Sequence, residues 1–393
     1  MSTAVTESRR LSGGWSLCWL GLIALNFACY TYLLGVFDWD HGVERALLLL
    51  LALLTCSLLL LQHRRPLLLV TSTRWIQGLV LAGCGLLLTV QVLYLAWHYP
   101  NAQLNDIATT TRAAGETLLA GNNPYTEPVD TSPESQQSGE WLDGYKYGPL
   151  MALLYLPLSA PLGLQGIQLT NLLVQLAVAG AAAALAVRLA GTTAGLFALF
   201  LYLSIPFAPS ELFKQGVTDL AAVLPLLAAF LMLEGGPLAA GLLVGLSIST
   251  KLLPGGLFAI LCLPATGRVR YLTGLVLGLV PLGVVTALAP AAMVSNQIVF
   301  NMIRLPDPTS WLHGMPELVS QLARLVFLGV MLAALVYVWH RPPALHDRMV
   351  LTVVCLLVLL LSETILHRNY LLWWLPFFAV LLASAALTRE RAP

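Results

Sequence analysis

The chain has 393 residues, of which 58% are hydrophobic and 10% charged, and its formal net charge is +1. Ordinary soluble domains carry roughly a quarter charged residues, so this much apolar sequence exceeds what a single water-soluble core absorbs. The near-zero charge balance, with no dense basic patch, argues against a nucleic-acid partner, because binding phosphates needs clustered cations.

The solvent that fits is a lipid bilayer, where a spanning helix needs about 20 mainly apolar residues and must satisfy its own backbone hydrogen bonds. Arg9 and Arg10 precede an apolar run from Trp15 to Val36. That run is too long for a signal-peptide core and lacks a small-residue cleavage site, so it reads as a retained first span. Further candidate spans are 43–61, 75–97, 166–189, 192–208, 217–234, 237–250, 252–264, 271–290, 319–339, 349–365 and 370–387, about twelve in all. All six cysteines (Cys18, Cys29, Cys56, Cys84, Cys262, Cys355) lie in apolar stretches, which argues against a disulfide framework.

The expected fold is therefore an all-α polytopic integral membrane protein. It divides into N-terminal helices (1–97), an extracytoplasmic loop with juxtamembrane helices (98–165) and further helices (166–393) within a single membrane body. Basic clusters at Arg9/Arg10, Arg64/Arg65/Arg74, Arg188, Arg268/Arg270, Arg341/Arg348 and Arg389/Arg391 all fall on one side if 147–163 is an outer-face helix. The positive-inside rule then makes both termini cytoplasmic. Pro149, Pro157 and Pro161 support that treatment, since proline removes backbone donors and kinks helices.

The long polar loop, 98–146, interrupts this pattern. Asn105 or Asp106 can cap a helix over roughly 107–120, which the Gly121-Asn122-Asn123-Pro124 sequence stops. Arg112 and Glu116 form an i,i+4 pair on it. Asp106 has two readings, a helix cap or a carboxylate with chemistry to perform. Residues 126–139 have the composition of a flexible, solvated segment. Further on, the pair 237–250 and 252–264 is broken at Lys251 and Pro254, and each half is too short to span. Broken helices at membrane depth line protein-enclosed cavities, which makes Lys251 a candidate functional cation.

Asp106, the string LLAGNNPY (Leu118 to Tyr125) and YKYGPLMALLYLPLSAPLG (Tyr145 to Gly163) together resemble the first outer loop of GT-C glycosyltransferases. Within that group the similarity is to bacterial polyprenyl-phosphate-mannose-dependent mannosyltransferases. It continues through LFKQGVTDL (Leu212 to Leu220), GLSISTKLLP (Gly245 to Pro254) and SETILHRNYLLWWLPF (Ser362 to Phe377), touching most of the chain from about residue 100 onward. The sequence departs from the family pattern at Thr110, where an aromatic residue is common, and at Gly148, where a second proline is common.

The resemblance implies an inverting enzyme of a prokaryotic inner membrane. It would move a sugar, mannose by the family pattern, from a polyprenyl-phosphate donor to the hydroxyl of a glycan or glycolipid acceptor on the extracytoplasmic face. Asp106 would be the general base. Lys251, His367, Arg368, Lys214 and Arg304 are candidates for gripping the lipid phosphate, since fixed cations stabilise a departing phosphate. Asn123, Tyr125, Tyr145, Lys146, Tyr147, Gln215 and Tyr370 are candidates for substrate contact, with Tyr147 and its aromatic neighbours open to an alternative reading as interfacial anchors. No cofactor is expected with a lipid monophosphate donor. Asp38, Asp40 and His41 form a rival metal-binding group in case the donor is a diphosphate. Two other classes fit the composition. One is a secondary transporter with broken helices near the midplane. The other is a membrane assembly partner without turnover, in which Asp106 only caps a helix.

Overall fold

The computed structural model describes residues 73–99, 104–130, 143–205, 207–300, 312, 315–362 and 368–388. The candidate spans 15–36 and 43–61, and the Asp38/Asp40/His41 group, lie outside them.

Among the described residues every regular element is helical. In chain order they are α1 (Thr73–His98), α2 (Asp106–Leu119), α3 (Pro149–Leu162), α4 (Leu164–Ala190), α5 (Thr192–Leu203), α6 (Leu220–Met232), α7 (Pro237–Thr250), α8 (Leu252–Leu261), α9 (Arg268–Gly278), α10 (Val280–Leu288), α11 (Glu317–His340), α12 (Leu345–Ser362) and α13 (Leu371–Thr388). Two short helical turns, Phe207–Pro209 and Pro290–Val294, two π-helical turns, Ser210–Gln215 and Ser295–Val299, and a 3-10 turn, Arg368–Tyr370, punctuate them.

The helices α1, α4 and α11 are long and apolar enough to cross a membrane, and the bent pair α9–α10 makes a fourth if it counts as one span. The apolar helices α5, α6, α7 and α8 have 12, 13, 14 and 10 residues. At 1.5 Å per residue they reach about 15–21 Å, short of a hydrocarbon core of roughly 30 Å. The expected single span over 271–290 is instead two helices bent by 46°. Its cause is local: α9 ends at Gly278, and Pro281 in the first turn of α10 supplies no backbone donor to the preceding turn.

The break expected at Lys251 is present. Lys251 is extended (φ −152, ψ 125), and so is Leu253 (φ −108, ψ 137), the residue before Pro254. α7 and α8 form an antiparallel hairpin with Lys251 at its tip. The Tyr271 hydroxyl donates to Ala259 O of α8, while the Tyr271 carbonyl lies against Gly241 of α7.

Two glycine pairs let α7 and α9 touch backbone to backbone. A Cβ on Gly241 would stand 1.9 Å from the Tyr271 carbonyl oxygen, and one on Gly274 would stand 2.0 Å from that of Leu238. One turn along each helix, a Cβ on Gly245 would stand 2.4 Å from the Leu275 oxygen and one on Gly278 would stand 2.3 Å from the Leu242 oxygen. These are reciprocal small-xxx-small stripes, the packing that helices use where lipid offers no hydrophobic drive. Phe230, Phe258 and Phe377 then join α6, α8 and α13 through ring contacts at 5.1–5.9 Å.

Arg188, Arg268 and Arg348 gather at one end of this bundle. Arg188 pairs with Glu234 and donates to Leu231 O, Arg268 donates to Trp339 O, and the buried Arg348 donates to Leu261 O and Leu263 O. α6 and α7 both have one terminus at that end. Their other termini, Asp219 and Lys251, therefore lie about 20 Å away along the helix axes.

Candidate active site

The loop helix α2 begins where the sequence indicates, and its cap is Asn105. The Asn105 side chain accepts from Ala108 N at 3.3 Å. Asp106, the first helical residue, is exposed. At the other end, Gly121 (φ 81) follows the last turn, and Asn122 N reaches back to Thr117 O at 3.0 Å, the closure that a left-handed glycine permits. Arg112 and Glu116 pair at 2.7 Å.

The N-terminus of α2 is tied to the membrane helices, because Asn105 N donates to Gln215 O at 2.8 Å. Gln215 closes the π-helical turn Ser210–Gln215, and Gly216 after it (φ 74) packs so closely on Leu104 and Ala108 that a Cβ would stand 2.9 Å from each. A π-turn misaligns backbone groups, and buried amides of α4 compensate. Gln168 Nε2 donates to Phe213 O at 2.6 Å and Asn171 Nδ2 to Leu212 O at 2.8 Å.

Three tyrosines follow in the loop. Tyr125 and Tyr145 are buried, and Tyr147 is partly buried beside them. The Tyr125 hydroxyl donates to the Tyr147 carbonyl at 2.6 Å, and Gln297 Nε2 donates to the same oxygen at 2.7 Å. The Tyr145 hydroxyl reaches Thr111 Oγ1 at 3.4 Å, and its ring meets those of Tyr125 and Tyr147 edge-on at 5.8 and 5.6 Å. Desolvation raises the pKa of all three hydroxyls above the ordinary tyrosine value. For Tyr147 the next causes are the negative charges of Asp106 and then Asp219.

Gly148 fastens this segment to the broken helix. Its N–H donates to Thr250 O at 3.0 Å, and a Cβ there would stand 2.1 Å from the Ser249 carbonyl oxygen. Proline, common at this position in the resembled family, has no N–H to give. Glycine meets both requirements of the contact.

Lys251 stands next to that contact. Its Nζ donates to Asp219 Oδ1 at 2.6 Å and lies 5.2, 5.3 and 5.1 Å from the ring centres of Tyr147, Tyr370 and Trp373. Asp219 is fully buried and also accepts from Asn369 Nδ2 at 2.7 Å and Trp373 Nε1 at 2.6 Å. The expected residues Tyr147, Lys251 and Tyr370 therefore converge. Asp219, Asn369 and Trp373 complete the group without having been singled out from the sequence. The signal available for Asp219 was a lone carboxylate flanking an apolar helix, which is a functional hypothesis by default in a membrane protein.

Other candidates take different places. Lys146 is half-buried, donates to Gly144 O and Asn296 Oδ1 at 2.9 Å each, and pairs with Asp130 at 3.5 Å. Asn123 shapes a turn by accepting from Tyr125 N at 3.0 Å. Lys214 is exposed in the π-helical turn Ser210–Gln215. Arg368 opens the 3-10 turn that carries Asn369 and Tyr370. Arg304 and His367 lie outside the described residues.

This fold and site define a class: a helical integral membrane protein with a polar loop fastened to a broken helix that carries a lysine. Its fold is similar to the crystal structure of ArnT from Cupriavidus metallidurans bound to undecaprenyl phosphate, with a TM-score of 0.52 and 16% sequence identity over 81% of this chain and 61% of the ArnT chain. This chain thus spans less than two thirds of that protein's length. No protein-family model and no curated protein sequence matches it.

Proposed function

We propose that the protein is an inverting glycosyltransferase that uses a polyprenyl-phosphate-linked sugar, with its site on the extracytoplasmic side of a prokaryotic inner membrane. The observation that carries the reading is the Lys251 cation at the helix break, ringed by Tyr147, Tyr370 and Trp373 and fastened through Gly148 to the loop that bears Asp106. A transfer to a hydroxyl needs both halves. A base takes the acceptor proton as oxygen attacks the anomeric carbon. A fixed cation in a water-poor site stabilises the phosphate that leaves. Asp106 supplies the first and Lys251 the second, and in-line attack inverts the anomeric centre. Tyr147 and Tyr370 line the space beside Lys251.

The fold likeness to an ArnT structure holding undecaprenyl phosphate supports a polyprenyl-phosphate donor. The family pattern in the sequence favours mannose as the sugar, with a glycan or glycolipid as acceptor. The reading is metal-independent, the phosphate being met by side-chain cations. The test uses the full chain in proteoliposomes with polyprenyl-phosphate mannose and an envelope glycolipid extract. Mannosylated product is expected from the wild type, and none above background from Asp106→Asn at equal expression. Solute uptake without any glycosylated product would instead identify a transporter.

A further inference from the structure

The Lys251 ammonium has three N–H groups, and one is given to Asp219. The Lys251 side chain is 13% exposed while that of Asp219 is fully buried. The lysine side chain therefore keeps some exposure, and that of its partner anion has none. Asp219 itself is held from two further directions by Asn369 and Trp373. A buried ion pair is weak evidence for stability, since apolar residues of similar volume often serve the fold as well or better. A pair with this geometry needs another reason to be there.

The surrounding backbone supplies one. Lys251 sits in extended conformation after the last turn of α7, with no helix of its own to fix its side chain. A lysine is a flexible point charge on a four-carbon stem, in contrast to the planar fork of arginine. Three aromatic rings at 5.1–5.3 Å attract the ammonium but do not select one position among them. The Asp219 carboxylate does select one, and it is anchored by donors from a second element, α13 and the turn before it.

We propose that Asp219 is the positioning residue for the donor phosphate, holding the Lys251 ammonium at one point with its remaining N–H groups turned to the lipid anion. This rests on the reading of Lys251 as a phosphate-binding cation. Asp219 touches no substrate and acts through Lys251. Asn369 and Trp373 act one step further back by fixing the carboxylate.

The experiment measures undecaprenyl phosphate binding to the full chain in lipid nanodiscs by calorimetry, for the wild type, Asp219→Asn, Lys251→Met and the double variant. The double variant removes both charges and strands neither. Expected are a Kd raised at least tenfold in Asp219→Asn, a similar or larger rise in Lys251→Met, and no further rise in the double variant. An aspartate with a structural role only lowers the fraction of protein that binds and leaves the Kd unchanged, or adds its effect to that of Lys251→Met. Either result overturns the proposal. If Asp219→Asn does not fold, Trp373→Phe keeps the ion pair and removes one anchor. A threefold weaker Kd that vanishes in the Lys251→Met background is then expected, and an unchanged Kd overturns the proposal. Absence of binding by the wild type at all would instead count against the polyprenyl-phosphate reading.

Discussion

Asn105 and Asp106 are neighbours with separable tasks, and single substitutions distinguish them. Asn105→Ala removes the side chain that accepts from Ala108 N and should lower stability by about 1 kcal/mol, read as a shift in the denaturation midpoint. Asp106→Asn should reduce sugar transfer by about 10²- to 10⁴-fold, the usual worth of a general base, out of proportion to any shift of that midpoint. The sequence alone left these roles open, because either residue could have been the cap. Asp219 and Trp373 were hidden for a related reason. Adjacent tryptophans at the start of an apolar helix look like headgroup anchors, and only the fold brings the Trp373 indole N–H to a carboxylate 154 positions earlier in the chain. The loop tyrosines carry a pH prediction. Tyr125, Tyr145 and Tyr147 are all held neutral above the ordinary tyrosine value, chiefly by desolvation. As pH rises past about 10 the unfolded chain loses these phenolic protons while the folded chain keeps them. Stability is therefore complete below that pH and falls above it as the folded-state pKa values are approached. Ultraviolet titration should show these tyrosines ionising late, and their replacement by phenylalanine should flatten the alkaline decline.

Hydropathy located the helices because long apolar runs identify themselves, and it located the break at Lys251 because a charge and a proline interrupt one such run. It gave no warning of the bend after Gly278, nor of the α7–α9 contact, since glycines spaced by four inside an apolar helix barely alter its mean hydropathy. Yet Gly241, Gly245, Gly274 and Gly278 allow the closest helix approach described here. Replacing Gly274 with leucine puts side-chain atoms where the Leu238 carbonyl stands. The expected cost is at the upper end of the 1–3 kcal/mol typical of overpacking, or complete loss of folded protein, checked by thermal unfolding in detergent. Gly148→Ala is a milder intrusion at a more sensitive place. The loop must retreat from Ser249, so transfer activity is expected to fall more than the melting temperature does.

At the scale of the molecule, Arg188, Arg268 and Arg348 mark one end and Asp106 the other. If the basic end is cytoplasmic, an impermeant maleimide applied to intact spheroplasts should label a cysteine placed at the exposed Glu127, and leave one at the exposed Thr266 unlabelled until the membrane is opened. The reverse pattern would place the loop inside. The contact between Gly148 N and Thr250 O has a mechanical consequence at the same scale. It is a strut between a segment that meets water and a hairpin tip reaching about 20 Å from the basic end, where the hydrocarbon is roughly 30 Å thick. A bilayer made thinner or thicker tilts or displaces the short helices α7 and α8, and the strut passes that displacement to the loop. Turnover should accordingly vary with the acyl-chain length of the host lipid, even for an acceptor that stays dissolved in water.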